Sequence, residues 1–222
     1  MSIAVGTSVP RGYEREDVYF YLRPDGTIAF AKCRYRAVDD TKPIRAKTFK
    51  YRQQWNGVWV PGKPPGTDTL LFRLPELLSA KAMGHSIWWV EGEKDVNAVR
   101  RAGAVATTHH QGAGHSKPEQ AEWFRGHSGP VVLAYDLDAD DDNGGNPGAA
   151  CVVRRYDLLT AVGIAPEQIS VLRAAKGKDV ADHLGSGLDL GAMVPVRDLT
   201  SLRVAAARTT RRSLKRYRNG GS

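Results

Sequence analysis

Cysteine is nearly missing from this 222-residue chain: Cys33 and Cys151 are the only two, and they form no CxxC pair. That scarcity excludes a cysteine-built zinc ribbon, and it points to a reducing, cytoplasmic setting. Long hydrophobic runs are missing too. No stretch approaches the ~18 apolar residues that a membrane span needs, and the opening MSIAVGTSVPRGYERED has no apolar signal core. Internal repeats are absent. Acids are missing from one region in particular. From Thr200 onward stand Arg203, Arg208, Arg211, Arg212, Lys215, Arg216 and Arg218 without a single carboxylate, so the net charge of +8 leaves only +1 for the rest of the chain. A basic tail on a nearly neutral body suits a polyanionic partner, or it is simply a solvated terminus.

What is present reads as a soluble globular protein, with 41% hydrophobic and 25% charged residues and enough length for one large domain plus a smaller one. Residues 1–16 read as a leader. Next, DVYFYLRPDGTIAFAKCRYRAV alternates around Pro24-Asp25-Gly26, and KTFKYRQQWNGVWV alternates around Asn56-Gly57. Both are hairpin patterns and predict an antiparallel, β-rich subdomain over 17–68. One face of it is expected to carry the cations Arg34, Arg36, Arg45, Lys47, Lys50 and Arg52, with Tyr35 and Tyr51 as candidates for base stacking or edge packing. The connector PGKPPGTD marks a subdomain boundary.

From residue 69 to 198 the periodicity changes. Helical stretches (LFRLPELLSAKAMG, KDVNAVRRAG, EQAEWFRGH, GAACVVRRYDLLTAVG and the short DVADHL) alternate with the apolar strands SIWWV, AVATT, VVLAY and ISVLRA. This pattern predicts an α/β domain, Rossmann-like, with a mostly parallel sheet and helices on both faces. Residues 199–222 read as a basic tail, helical or disordered.

Three strand ends in this domain are acidic: Glu91 after SIWWV, Asp136-Leu137-Asp138 after VVLAY, and Lys178-Asp179 with Asp182 after ISVLRAAKG. Ligands of open α/β sheets bind beyond such ends. In an extended segment Asp136 and Asp138 point the same way, and two carboxylates that close repel unless a proton or a divalent ion intervenes. Mg²⁺ fits, since it takes one or two carboxylates and leaves positions for water and phosphate. A calcium loop does not: counted from Asp136, position six is Asp141 instead of Gly and position twelve is Pro147 instead of Glu. The competing structural roles are ordinary ones. Glu91 and Asp95 could serve a helix N-terminus, Asp179 could cap VADHL, Asp140 to Asp142 could be a solvated loop, and His109, His110 and His115 could be loop residues.

The motifs VEGEKDVNAV, AYDLDAD and GKDVADHL, in this order and at these strand ends, resemble the Toprim domain of bacterial-type primases, type IA and II topoisomerases and some nucleases, over about 85–187. Upstream, YFYLRPDGTIAFAKCRYR, KTFKYR and LFRLPEL resemble the lead-in of the RNA-polymerase core of DnaG-type and phage primases. The resemblance implies a primase catalytic core that joins ribonucleoside triphosphates on a single-stranded DNA template. It implies Glu91 as an acid/base or metal group, Asp136 and Asp138 as the metal-holding pair, and Asp95 and Asp179 as further acidic positions. Two Mg²⁺ or Mn²⁺ ions and no zinc are expected. Arg34, Arg36, Lys47, Lys50 and Lys178 fall where nucleotide and template are held, and Arg211 and Arg212 of the tail join them as phosphate contacts. The 16-residue leader is too short for a zinc-containing template-reading module, so such a partner or a replicative helicase is expected on another polypeptide. The chain departs from the pattern in ADDDNGGNPG, which is longer and more acidic than the usual link, and in the additional His109 and His110. Two other readings use the same residues: a Toprim nuclease, and a nucleic-acid-binding accessory protein without catalysis. A topoisomerase would need a strand-passing domain for which the chain has no room.

Overall fold

A computed structural model describes residue 5 and residues 8–38, 46–112, 114–141 and 144–209. The chain divides into two compact units, Met1–Pro75 and Glu76–Ser222.

The first unit is built on four antiparallel strands in the order of the sequence: β1 (Tyr13–Leu22), β2 (Ile28–Ala37), β3 (Lys47–Trp55) and β4 (Val58–Pro61). β1 opens inside the stretch expected to be a leader, because Tyr13 already pairs with Ala37. The two turns are where the sequence puts them. Gly26 (φ 84°) closes the first, with Asp25 Oδ1 accepting from the Thr27 N–H at 2.9 Å. Asn56 (φ 49°) and Gly57 (φ 78°) make the second with both central residues left-handed, as a two-residue hairpin loop between twisted strands requires. Tyr21 stacks on Phe30 at 4.6 Å, and Phe72 meets both Tyr19 (5.7 Å) and Tyr21 (5.4 Å). Those contacts explain why the division falls after Pro75 and not at the 61–68 connector: Leu70, Leu71, Phe72 and Leu74 are buried, and Phe72 packs in the core of the first unit.

In the second unit a five-stranded sheet runs β6-β5-β7-β8-β9. Its strands are β5 (Ile87–Trp89), β6 (Val105–Thr107), β7 (Val131–Tyr135), β8 (Ile169–Arg173) and β9 (Val194–Pro195). The first four are parallel and β9 alone runs antiparallel. Every residue of β5 and β7 is buried, so both faces are covered. The helices are α1 (Leu74–Ala82), α2 (Glu93–Arg101), α3 (Pro118–Ala121), α4 (Pro147–Ala161), α5 (Val180–Gly185) and α6 (Leu199–Arg208). The expected α/β class therefore stands. The EQAEWFRGH segment is a shorter helix than its pattern suggests: a 3-10 turn over Glu122–Phe124 follows α3 and drives Phe124 flat against Trp89, with ring centroids 5.1 Å apart.

The stretch from 199 begins as α6, which belongs to the second unit. Arg203 pairs with Asp157 of α4 at 2.6 Å and its guanidinium lies over the Tyr156 ring. Arg211 and Arg212 lie outside the described residues. No helix among the described residues is long and apolar enough to cross a membrane. Both cysteines are free and buried, and burial pushes the Cys151 thiol up to about 12, so it stays protonated and unreactive.

Candidate metal and nucleotide site

The sheet order creates the site. From β5 the chain crosses through α2 to β6 on one side and then returns to place β7 on the other side of β5. The strand order therefore reverses between β5 and β7, and in open α/β sheets the crevice beyond such a reversal is where ligands sit. Glu91 follows β5 and Asp136 follows β7, so both stand at this crevice. The Asp136 backbone N–H donates to Glu91 Oε1 at 3.0 Å, and Thr108 Oγ1 donates to the Glu91 carbonyl at 2.9 Å.

Asp95 and Asp179 tie two helix starts to the same place. Asp95, 4% exposed, accepts from the Gly92 N–H and from the Ala181 N–H, both at 3.2 Å, and so clamps α2 to α5. Asp179 caps α5, its Oδ1 accepting from the Asp182 N–H at 2.8 Å. Lys94 reaches Asp179 Oδ2 at 2.8 Å, and Lys178 reaches Asp138 Oδ1 at 2.7 Å.

These carboxylates feel one another. Burial, and then Asp136, push the Glu91 carboxyl up to about 8, against the opposing field of Arg155. Burial together with Asp179 and Asp136 raises Asp95 to about 7, and burial with Asp179 and Asp138 raises Asp136 to about 6. A cluster so disposed is short of positive charge. Its hard oxygen donors are the chemistry that Mg²⁺ or Mn²⁺ takes. Among the described residues, however, no three His, Cys, Asp or Glu side chains are grouped tightly enough to hold a metal as they stand. In this arrangement lysines cover Asp138 and Asp179. The donor set fits a divalent ion in kind, on condition that those ammonium groups move aside.

Two close approaches hold the crevice in shape. A Cβ on Gly148, at the start of α4, would lie 2.1 Å from the Asp136 carbonyl oxygen, so only glycine lets the helix meet the DxD backbone. Gly148→Ala is expected to destabilise the protein by about 3 kcal/mol through this overlap, measured by urea unfolding; an unchanged midpoint would show that the contact yields freely. Gly177 (φ 81°) permits the turn that lays Lys178 beside Asp138, and a Cβ there would meet the Asp182 Cβ at 2.4 Å.

Two site features, Arg155 and Lys94, were not singled out from the sequence. Arg155 is 1% exposed under the acidic crevice: it lies 5.1 Å above the Trp89 ring and donates to the Trp89 carbonyl at 3.4 Å and Ser116 Oγ at 3.3 Å. His109 and His110, expected as loop residues, are buried. The Arg155 guanidinium lies 3.4 Å from His109 Nδ1, and His109 Nε2 lies 2.9 Å from the Gly112 carbonyl oxygen.

The cations of the first unit do not share one face. Lys47 pairs across the sheet with Arg36, while Lys50 pairs with Cys33 and Arg52 with Ala31. Partners across a sheet project to the same side, so Arg34, Arg36 and Lys47 share one face and Lys50 and Arg52 project from the other. Three is an odd number, and a strand alternates: Lys47 and Lys50 could not have stood together. On the first face Arg34 pairs with Glu16 at 2.5 Å and Arg36 pairs with Glu14, around a groove of about 460 Å³ that Lys47 also lines. Tyr35 is buried and Tyr51 packs edge-on against Phe30, which makes both of them packing residues. Arg45 lies outside the described residues.

An antiparallel sheet unit followed by an α/β unit, with acidic strand ends at its switch point, defines the class: a two-unit α/β protein with a carboxylate crevice. No family model matches the chain and no curated protein matches it in sequence. Solved structures do match it in fold, and the fold is that of DnaG primase catalytic cores. The E. coli primase catalytic core is 15% identical at a TM-score of 0.56, over 84% of this chain and 54% of that one. A structure of the DnaG catalytic core is 14% identical at 0.57, over 92% and 62%. A DnaG primase catalytic domain bound to single-stranded DNA is 12% identical at 0.51, over 84% and 53%. The chain thus spans somewhat more than half the length of these structures.

Proposed function

We propose that the chain is a primase-type nucleotidyltransferase that joins ribonucleotides on a single-stranded DNA template. The observation that carries this reading is the meeting of Glu91, Asp95, Asp136, Asp138 and Asp179 in one electrostatic field at the switch point of a primase-core fold. The single-stranded DNA in one of the similar structures supports the choice of template.

In this reading Glu91, Asp136 and Asp138, with Asp179, hold divalent ions. When bound, such ions lower the pKa of the attacking 3′-hydroxyl and neutralise charge on the departing pyrophosphate. The protein's own groups do the positioning. Glu91 is fixed by the Asp136 N–H, so its free oxygen has one direction to face. Asp95 holds α2 and α5 together and adds negative charge to the crevice. Arg155 supplies a buried positive charge that opposes the upward shift of the Glu91 and Asp136 carboxyls. Arg34, Arg36 and Lys47 offer template phosphates one continuous edge, once their partners Glu14 and Glu16 are exchanged for nucleic acid. Arg211 and Arg212 add two further positive charges for a polyanionic partner. The further parts this reading expects are a replicative helicase and a zinc-containing template reader.

The test is incubation of the protein with single-stranded DNA, labelled ribonucleotides and Mg²⁺ or Mn²⁺, with products resolved by length. Template-dependent oligoribonucleotides without strand cleavage are expected. Metal-dependent nicking with no incorporation would overturn the reading in favour of a nuclease.

A further inference from the structure

Two lysines sit on carboxylates that the proposed chemistry needs for metal. Lys178 Nζ lies 2.7 Å from Asp138 Oδ1, and Lys94 Nζ lies 2.8 Å from Asp179 Oδ2 and 3.4 Å from Asp182 Oδ1. The exposures are lopsided. The lysine side chains are 53% and 42% exposed, whereas Asp138 and Asp179 are each 13% exposed. Flexible cations therefore reach in from solvent and cover recessed anions. Pairs of this kind contribute little, because a hydrated ammonium exchanges its partner readily.

The backbone around Lys178 is held independently of its side chain. The Leu137 N–H donates to the Lys178 carbonyl at 2.8 Å, and the Lys178 N–H donates to Asp182 Oδ2 at 3.1 Å. The ammonium group can swing out while the loop stays where it is.

We propose that Lys178 and Lys94 are built-in counterions of the metal-free site, which a divalent cation displaces from Asp138 and Asp179, and that the displaced ammonium groups then take the phosphate oxygens of a nucleoside triphosphate. The proposal rests on the metal-binding reading above. It assigns each lysine two opposed effects: against metal in the nucleotide-free protein, and for nucleotide in the metal-loaded one. A lysine that served only the phosphate would lack the first effect.

The experiment is calorimetric titration of the nucleotide-free protein with Mn²⁺, for the wild type, Lys178→Met, Lys94→Met and the double variant, followed by ribonucleoside triphosphate titration at saturating Mn²⁺. Each single variant is expected to bind Mn²⁺ about fivefold more tightly and nucleotide about fivefold more weakly. In the Asp138→Asn background the gain from Lys178→Met should vanish, since the partner is gone. Unchanged or weaker Mn²⁺ binding in the lysine variants overturns the exchange alone. Absence of saturable Mn²⁺ binding in every form overturns the metal reading and the exchange together. Lys178 is exposed and Lys94 is half-buried with its side chain 42% exposed, so folded variants are expected by circular dichroism. Lys178→Gln, which keeps the stem and removes the charge, must reproduce the Met result.

Discussion

Glu91→Gln is expected to lower ribonucleotide incorporation on the order of a thousandfold and, in the absence of divalent ions, to stabilise the fold. Both effects come from one charge. In the metal-loaded site the Glu91 carboxylate would be a ligand fixed in direction by the Asp136 N–H, and loss of one preorganised electrostatic group of this kind costs about 10²–10³ in rate, or ~3–4 kcal/mol. Without metal the same carboxylate is buried among Asp136 and Asp138, where ionisation is unfavourable. Glutamine keeps the acceptor oxygen for the Asp136 N–H and removes the charge, so the geometry is held while the repulsion goes. A gain of about 1–3 kcal/mol in urea unfolding with EDTA present is the expected reading. Asp136→Asn should behave likewise on the rate, with a smaller gain because Asp136 is less deeply placed. A variant with full incorporation would remove Glu91 from the chemistry. One that lost stability in EDTA would show instead that the charge is satisfied by the protein alone.

That the acids could be found from the sequence at all follows from strand geometry. SIWWV and VVLAY are too short and too continuously apolar for anything but buried strands of a parallel sheet, so the first charged residue after each marks its end, and ligand sites gather at such ends. What holds the acids was harder to read. The ion pair of Lys94 with Asp179 joins residues far apart in the chain, and no local pattern encodes it. Arg155 did leave a signal: it falls on the buried stripe of α4 with Val152 and Leu159, and an arginine in that stripe needs an anionic neighbour. The assignment of Lys50 to the same face as Lys47 failed on parity alone, since alternation places residues three apart on opposite sides. His109 and His110 do lie in the connection after β6, as expected, but they are buried there with Thr107 and Thr108, which the glycine-rich sequence around them does not signal.

Stability in EDTA is expected to fall as pH rises from about 5 to about 8.5, and saturating Mg²⁺ should remove most of that fall. The direction follows from where the protons are held. Glu91, Asp95 and Asp136 have folded-state pKa values raised to about 8, about 7 and about 6, above the ordinary carboxylate values of 4.5 and 3.8. The native state therefore keeps protons that the unfolded chain has already released. Its advantage is complete below the ordinary carboxylate range, and it is lost progressively as pH passes through the three raised values. Because the three groups share one field, their effects do not add. A total of about 3–5 kcal/mol across the window is the expected size, from ~1.4 kcal/mol per pKa unit. A divalent ion replaces the protons as the compensating charge, and at a hundred times its dissociation constant it returns about 2.7 kcal/mol at the alkaline end. Urea titrations at a series of pH values, with EDTA and with Mg²⁺, measure both slopes, and Glu91→Gln should flatten the EDTA slope at its upper end. If stability instead rose with pH in EDTA, the carboxylates would be ionised and satisfied in the apo protein. The shortage of positive charge on which the proposed metal site rests would then not exist.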